Sequence, residues 1–258
     1  LTVANLANSD LLYLGVSGDG DSASIGLGQF ANAMRRGVNM AYIVENNGVY
    51  GLTKGQFSAT ADRGAKNKKG SVNIDNPIDL VGIALQLGAT YVARSFSGDK
   101  AQLVPLIKGA IAHGGAAFID VISPCVTFNN HGGSTKSYEY VRQHNEAVSV
   151  IDFITQHEEI TTDYAEGEVV EVAQHDGSTL RLRKLHADYD PTDRYKAMSY
   201  MNDHAARGEV VTGLLFLDSL SSDLHTALNT CEQPLNTLGV AQLCPGARAL
   251  DKINAALR

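Results

Sequence analysis

Apolar and polar positions alternate in blocks along the first half of the chain, in the order expected when strands and helices follow one another. Apolar runs at residues 11–18 and 39–47 are short, rich in strand-forming residues and closed by turn residues, which is typical of buried parallel strands. Between them, apolar residues repeat at helical spacing over residues 27–34, and Gly37 follows as a helix stop. The pattern predicts a strand, helix, strand unit.

The same alternation continues beyond this unit. The predicted elements are a helix at 78–88, a strand at 89–97, a helix at 100–115 and a strand at 116–123. Strands that alternate with helices favour a doubly wound, mostly parallel α/β sheet with right-handed crossovers.

The second half of the chain predicts fewer elements. Residues 166–185 alternate apolar and polar side chains around a central turn, which indicates a small β-hairpin appendage. A helix near 195–207, a strand at 210–219 and a helix near 247–257 follow as a C-terminal extension.

Composition narrows the class of protein. The chain has 258 residues, of which 44% are hydrophobic, so it can bury a sizeable core. Its formal net charge is -7 and its basic residues are scattered, so we expect no nucleic-acid partner. No apolar run reaches the roughly 20 residues that span a bilayer, and we expect a cytoplasmic protein with no membrane partner.

The cysteines are too few and too widely spaced for a disulfide framework. Cys125, Cys231 and Cys244 fit a reducing compartment, and taken singly each is predicted to be a small buried hydrophobic residue. The chain begins at Leu1 instead of a methionine, and its first residues resemble the end of a helix that runs into a strand. We therefore expect the natural protein to have an N-terminal portion that precedes this sequence.

Polar residues follow both strands of the first unit at the point where each strand ends. Gly-Asp-Gly-Asp occupies residues 18–21, and an Asn-Asn pair occupies residues 46–47. In an open parallel sheet, ligands bind beyond the carboxyl ends of the strands, so the two segments can converge. Glycines allow close backbone approach, and the following helix start favours an anion. Together they indicate a phosphate site.

A carboxylate beside a phosphate site requires a cation. Mg²⁺ commonly bridges protein oxygens to substrate phosphates, so Asp19, an asparagine amide oxygen and a loop carbonyl would form a suitable set. The combination favours a magnesium diphosphate, although each segment alone is also an ordinary turn. A dinucleotide site is disfavoured because the glycines do not follow GxGxxG and no acidic residue caps the second strand. The sequence gives no support for hydrolase chemistry.

Three segments resemble one family. "GDGDSASIGLGQFANAMRR", "ENNGVYGLTKGQFSAT" and "FIDVISPCVTFN" are similar to the β subunit of 2-oxoacid:ferredoxin oxidoreductases of the 2-oxoglutarate type, and the likeness extends through Arg94 and "HADYDPTDR" to most of the chain. The resemblance implies a thiamine diphosphate-binding α/β domain over residues 1–165. It implies that residues 166–258 are the hairpin and C-terminal part of the same domain, closing the sheet and contacting the partner subunit.

The resemblance also implies the site residues. The Mg²⁺ ligands would be Asp19, the side chain of Asn47 and the backbone carbonyl of Val49. The diphosphate would be held by Gly18, Gly20, Asp21 and the helix start. The path toward the thiazolium would be lined by Tyr50, Gly51, Leu52 and Thr53.

Lys54 carries the substrate prediction. The 2-oxoglutarate type has a lysine at this position, which would pair with the second carboxylate of 2-oxoglutarate, whereas the pyruvate type has other residues in this loop. The alternative is that Lys54 is a solvated loop cation. Leu52 would form an apolar wall beside the thiazolium, or would simply pack.

Cys125 carries the redox prediction. In the family, the matching cysteine is one of four ligands of a 4Fe-4S cluster, and the other three lie upstream of the Gly-Asp-Gly segment. This chain has no cysteine before Cys125, so either the upstream segment is missing from the sequence or the cluster is absent. His131 in the same loop is more simply a surface or structural residue.

The resemblance implies a heterodimeric enzyme that converts 2-oxoglutarate and coenzyme A to succinyl-CoA and CO₂, or runs in reverse with a strong reductant. Its partners would be an α subunit and ferredoxin, and Arg94 would contact either a partner subunit or a carboxylate. Two alternatives stay open: a β subunit specific for pyruvate or another 2-oxoacid, and a non-redox thiamine diphosphate-binding module.

Overall fold

A mixed sheet organises the computed structural model, which describes residues 1–51, 55–65, 70–123, 159–174, 179–244 and 246–257. The strands are β1 (Leu14–Gly18), β2 (Met40–Asn46), β3 (Val49–Tyr50), β4 (Gln56–Phe57), β5 (Tyr91–Phe96), β6 (Ala116–Ile122), β7 (Val169–Ala173), β8 (Thr179–Lys184) and β9 (Val210–Leu217). Within these ranges, seven of the strands form one sheet in the order β1-β2-β6-β5-β9-β8-β7. The short strands β3 and β4 pair separately.

The helices lie between the strands and beyond them. They are α1 (Thr2–Ala7), α2 (Leu27–Arg35), α3 (Leu80–Gln86), α4 (Lys100–Ala112), α5 (Arg194–Ala205), α6 (Leu224–Leu228), α7 (Val240–Leu243) and α8 (Ala247–Ala256). A π-helical turn, Gly20–Ile25, precedes α2, and a 3-10 turn, Leu235–Thr237, precedes α7. In the described part of the chain, no helix has the length and apolar character needed to cross a bilayer.

Helix starts follow from the sequence at acidic N-caps. Asp79, Asp99 and Asp193 precede α3, α4 and α5, and each side chain accepts a backbone N–H of the first turn. These bonds satisfy N–H groups that have no partner within the helix. Gly37 follows α2 with a φ of 64°, the left-handed conformation that favours glycine at a helix end.

The core lies on both faces of the sheet. On one face, Phe30 and Met34 of α2 pack with Val44 of β2 and with residues of α3 and α5. On the other face, Ile43 of β2 packs with Leu106 of α4. Adjacent residues of a strand point to opposite faces, so β2 contributes to both layers. The doubly wound fold predicted from the alternation is confirmed.

Strand directions divide the sheet into two parts. β1, β2, β6 and β5 run parallel, whereas β9 runs antiparallel to β5. The hairpin of β7 and β8 joins the sheet because β8 pairs with β9 in parallel register. The parallel part places the carboxyl ends of β1, β2, β5 and β6 along one edge.

β1 differs from its prediction in length and burial. It begins at Leu14, three residues later than the apolar run, and in the described chain it is an edge strand that pairs only with β2. Leu14 and Val16 are 48% and 56% exposed, so the prediction of a strand buried on both faces is wrong here. An apolar run does not distinguish an edge strand from a central one.

Candidate functional site

The candidate site lies where β1 and β2 end. Asp19 follows Gly18, the last residue of β1, and Asn47 follows Asn46, the last residue of β2. Gly18 is in register with Glu45, so the two strands end side by side. The backbone N–H of Asn47 donates to Oδ1 of Asp19 at 3.3 Å. The structure thus brings together the two residues that the sequence singled out.

Asp19 is almost fully buried, with 1% of its surface exposed. In the described part of the chain, four donors reach its carboxylate, and all four are uncharged: the N–H groups of Asn47 and Gly48 and the hydroxyls of Ser58 and Thr60. Burying a carboxylate is costly unless it is paired, so this arrangement favours a bound cation.

The Asn47-Gly48 turn shapes the second half of the site. Oδ1 of Asn47 accepts the backbone N–H of Val49 at 3.1 Å, which fixes the side chain against its own turn. Gly48 has a φ of 74°, a conformation that L-residues rarely adopt. An amide oxygen has two lone pairs, so Oδ1 of Asn47 can still accept a cation.

Gly20 and Tyr50 pack against each other across the site. The Tyr50 hydroxyl donates to the carbonyl of Gly20 at 3.2 Å. A Cβ at position 20 would lie 2.6 Å from Cε1 of Tyr50, so only glycine fits beneath the ring. Gly20 was predicted to allow close approach of a ligand. In the structure it also leaves the space that the Tyr50 ring occupies.

The helix that follows Gly20 begins with a wide turn. The N–H of Gly26 donates to the carbonyl of Asp21 at 2.6 Å, which is the five-residue spacing of a π-helix. The sequence predicts a helix start after residues 18–21 but gives no sign of this widening. π-turns are rare and often occur at functional sites. Here the turn places the first N–H groups of the helix beside Asp19.

A buried polar network extends from the site into the sheet. Nδ2 of Asn46 donates to Oδ1 of Asp120 at 3.1 Å, and Nε of Arg94 lies 2.8 Å from Oδ2 of Asp120. Arg94 also contacts Asp79 at 2.5 Å. The sequence analysis predicted that Arg94 contacts either a partner subunit or a carboxylate. In the structure it contacts two carboxylates, those of Asp79 and Asp120.

The charges in this network shift one another. Burial raises the pKa of Asp120 above its ordinary value, and the positive charge of Arg94 offsets part of that rise. Burial lowers the pKa of Arg94, but Asp79 and Asp120 outweigh it, so the pKa of Arg94 lies above its ordinary value. Arg94 therefore stays charged and holds two carboxylates.

The remaining predicted site residues fall into three groups. Gly18, Tyr50 and Val49 are partly buried around Asp19, and Asp21 and Gly51 are exposed. Other predicted residues lie outside the described ranges: Leu52, Thr53, Lys54, Cys125 and His131.

Cys231 and Cys244 are free and exposed, so the prediction that they are buried is wrong. Both lie in the C-terminal segment, where most side chains face solvent.

Sequence reasoning did not identify Ser58, Thr60 and Asp120. Asp120 is the one acidic residue in the apolar run of β6, and a charge in a strand buried on both faces is a signal that can be read from sequence. The two hydroxyls have no such signal, because serine and threonine are ordinary loop residues.

The oxygen-rich site suits one kind of metal. In the described ranges, no group of three or more His, Cys, Asp and Glu side chains gathers as a metal site. A cation here would use the Asp19 carboxylate, the Asn47 amide oxygen and the Val49 carbonyl, and such hard oxygen donors suit Mg²⁺ together with phosphate oxygens. The residues present fit a magnesium diphosphate.

A cavity of about 540 Å³ lies elsewhere, between α4 and β9. Its polar lining includes Gln102, Lys184 and His186, and Lys184 pairs with Asp99 at 2.8 Å. None of the predicted cofactor-binding residues that the structure describes lines it. The cofactor prediction therefore rests on the strand ends.

A protein-family comparison matches the N-terminal part of the chain. Residues 2–121 match the family described as thiamine pyrophosphate enzyme, C-terminal TPP binding domain. This range runs from α1 almost to the end of β6 and includes Asp19, Asn47 and Asp120. The match therefore covers the parallel part of the sheet together with the candidate site.

Individual relatives narrow the class. The chain is 47% identical over 126 residues to 2-oxoacid:ferredoxin oxidoreductase subunit beta of Saccharolobus solfataricus, a match that covers 48% of this chain and 41% of the relative. It is 40% identical over 128 residues to 2-oxoglutarate synthase subunit KorB of Methanocaldococcus jannaschii, covering 49% and 47%. About half of the chain is thus similar to these β subunits, and the match spans less than half of their length.

A solved structure extends the likeness to the whole chain. It is 2-oxoglutarate:ferredoxin oxidoreductase from Magnetococcus marinus with 2-oxoglutarate, coenzyme A and succinyl-CoA bound. The superposition has a TM-score of 0.63 and 27% sequence identity, and it covers 100% of this chain and 71% of that chain.

Proposed function

We propose that this chain is the thiamine diphosphate-binding β subunit of a 2-oxoglutarate:ferredoxin oxidoreductase. The enzyme would convert 2-oxoglutarate and coenzyme A to succinyl-CoA and CO₂, passing two electrons to two molecules of oxidised ferredoxin. The single observation that carries the proposal is Asp19, a buried carboxylate at the end of β1 whose described partners are all uncharged.

Mg²⁺ would be held by Asp19, the side chain of Asn47 and the carbonyl of Val49. The diphosphate would lie against Gly18, Gly20, Asp21 and the N–H groups of the π-helical turn, because a helix start favours anions. When bound, thiamine diphosphate supplies the electron sink that decarboxylation of a 2-oxoacid requires. The chain's own residues orient the cofactor and balance its charge.

The substrate assignment rests on Lys54. An ammonium group just beyond the cofactor loop would pair with the distal carboxylate of 2-oxoglutarate, which pyruvate lacks. The name of the Methanocaldococcus jannaschii relative and the substrate in the Magnetococcus marinus structure support this assignment. The broader name of the Saccharolobus relative favours a second candidate, a β subunit that accepts several 2-oxoacids.

The electron path and the partners complete the proposal. Cys125 would be one of the four ligands of a 4Fe-4S cluster, as in the family that the sequence resembles. An α subunit would complete the active site, with residues 166–258 of this chain contacting it. The names of the relatives, which are β subunits of ferredoxin-linked enzymes, support these partners. The complex would work in the cytoplasm.

The proposal is tested with the natural complex, purified without oxygen. We expect 2-oxoglutarate and coenzyme A together to reduce ferredoxin, and iron and labile sulfide to be present. Pyruvate at the same concentration should give a much lower rate. A fully active complex without iron would contradict the redox assignment, and a complex that binds thiamine diphosphate without reducing ferredoxin would favour the non-redox module.

A further inference from the structure

We infer that Ser58 and Thr60 are positioning residues: their hydroxyls hold Oδ2 of Asp19 so that Oδ1 faces the bound cation. Neither residue is among those that the family resemblance assigns to the site. The inference rests on the proposed magnesium diphosphate site and names the atom of Asp19 that binds the metal.

The two oxygens of Asp19 have unequal partners. Oδ2 accepts the N–H of Gly48 at 3.1 Å, the hydroxyl of Thr60 at 2.5 Å and the hydroxyl of Ser58. Among the described residues, Oδ1 accepts only the N–H of Asn47, at 3.3 Å. A carboxylate oxygen offers about two lone pairs, so Oδ2 is saturated and Oδ1 has capacity for a metal.

The loop that carries the hydroxyls is fixed by its own contacts. The N–H of Ser58 donates to the carbonyl of Gly48 at 3.0 Å, and the buried Asn73 side chain donates to the carbonyl of Ala61 at 2.8 Å. Ser58 is 5% exposed. Groups held in this way keep a carboxylate in one rotamer and lower the cost of arranging it around a metal.

Thr60 also joins the cation site to the buried network. Its Oγ1 lies 3.0 Å from Oδ1 of Asn46, whose amide nitrogen is committed to Asp120. A hydroxyl has one hydrogen, and three oxygens lie within reach of the one on Thr60: Oδ2 of Asp19, Oδ1 of Asn46 and Oγ of Ser58, the last at 2.9 Å. The shortest of these contacts, to the charged oxygen of Asp19, takes the hydrogen.

The variants remove the hydroxyls with little change in shape. Thr60→Val deletes the Thr60 hydroxyl, and Thr60→Ser restores it. Thr212→Val is the matched control, because Thr212 is a buried threonine whose hydroxyl bonds Tyr164 at 2.8 Å in another part of the sheet. The readout is the Mg²⁺ concentration that gives half-maximal binding of thiamine diphosphate, measured by calorimetry on the cofactor-stripped natural complex.

We expect Thr60→Val to raise this Mg²⁺ concentration by roughly tenfold, the usual effect of losing a hydrogen bond to a metal ligand. Thr60→Ser and Thr212→Val should match the wild type. An unchanged value in Thr60→Val, or an equal rise in Thr212→Val, would overturn the inference. If Thr60→Val does not fold, Ser58→Ala provides the test with the same expected direction. If the wild type itself shows no Mg²⁺-dependent binding, the proposed function fails and the inference falls with it.

Discussion

Arg94 and Asp120 form an ion pair inside the sheet, with Nε of Arg94 2.8 Å from Oδ2 of Asp120. They are in register on the neighbouring strands β5 and β6, and Asp120 has no exposed surface. Asn46 donates to Asp120, and its Oδ1 lies 3.0 Å from Oγ1 of Thr60, the hydroxyl that contacts Asp19. The cation site is therefore built on a charged network that the sheet buries.

Arg94→Met should leave Asp120 buried without a charged partner. Breaking a buried ion pair on one side typically costs about 3–5 kcal/mol, so we expect a large fall in the melting temperature of the purified protein. Arg94→Met combined with Asp120→Asn should recover part of the loss, because the remaining buried group is then neutral. A double variant no more stable than Arg94→Met alone would show that Asp120 is not the group left uncompensated.

Gly20→Ala should disturb the site through Tyr50. The added Cβ would lie 2.6 Å from Cε1 of the ring, and overpacking of this kind costs about 1–3 kcal/mol. We expect a lower melting temperature and weaker thiamine diphosphate binding by calorimetry. Combining Gly20→Ala with Tyr50→Ala should relieve the clash relative to the sum of the two single variants. Strict additivity of the two changes would argue against this contact.

Glu209 gives the stability of the hairpin region a pH dependence. Its carboxylate accepts Nε of Arg183 at 2.5 Å and lies 2.7 Å from Nδ1 of His204. The pKa of Glu209 is lowered from 4.5 to about 2, mainly because its carboxylate accepts a hydrogen bond from Arg183. Burial acts in the opposite direction but is outweighed. Because folding lowers this pKa, the stabilisation is complete above pH about 4.5 and is lost as the pH falls toward about 2.

Glu209→Gln should therefore be less stable than the wild type at pH 7, and the difference in melting temperature should shrink as the pH falls below about 4.5. Glu171→Gln is the control, because Glu171 is exposed and its ion pair with Arg181, at 3.6 Å, lies on the surface. Surface ion pairs contribute little to stability. A difference for Glu209→Gln that stays constant down to acid pH would contradict the assigned role.

Lys54→Gln tests the substrate assignment. If its ammonium group pairs with the distal carboxylate, the variant should raise the KM for 2-oxoglutarate by roughly tenfold or more, since a charge-assisted hydrogen bond contributes about 1.5–3 kcal/mol. Activity with pyruvate should change little. Equal losses with both acids in steady-state assays of the complex would show that Lys54 does not select 2-oxoglutarate.

The sequence predicted most of the strands and helices, and it predicted some of the residues that lie together at the candidate site. Strand and helix alternation is read directly from apolar spacing, and Asp19 and Asn47 were found because turn residues end parallel strands at one edge. Ser58 and Thr60 reach Asp19 from a loop whose course depends on tertiary contacts, such as the bond from Ser58 to Gly48. No local pattern encodes such contacts.

Burial was predicted less well than secondary structure. Leu14 and Val16 have the same apolar character as residues of β2, but β1 lies at the edge of the described sheet, so their outer faces are open. The antiparallel direction of β9 was likewise not predicted, because strand direction depends on how the chain returns to the sheet. The alternation of apolar and polar residues indicates which side chains share a face of a strand. It does not indicate whether another element packs against that face.

The most direct test of the account is the requirement for Asp19 in Mg²⁺-dependent cofactor binding. Asp19→Asn removes the charge and keeps the shape, and Asp62→Asn is the control, because Asp62 is an exposed residue of the nearby loop. Calorimetry of thiamine diphosphate with the cofactor-stripped natural complex should show binding only when Mg²⁺ is present, strong loss of binding in Asp19→Asn, and wild-type binding in Asp62→Asn. Unchanged, Mg²⁺-dependent binding in Asp19→Asn would contradict the account.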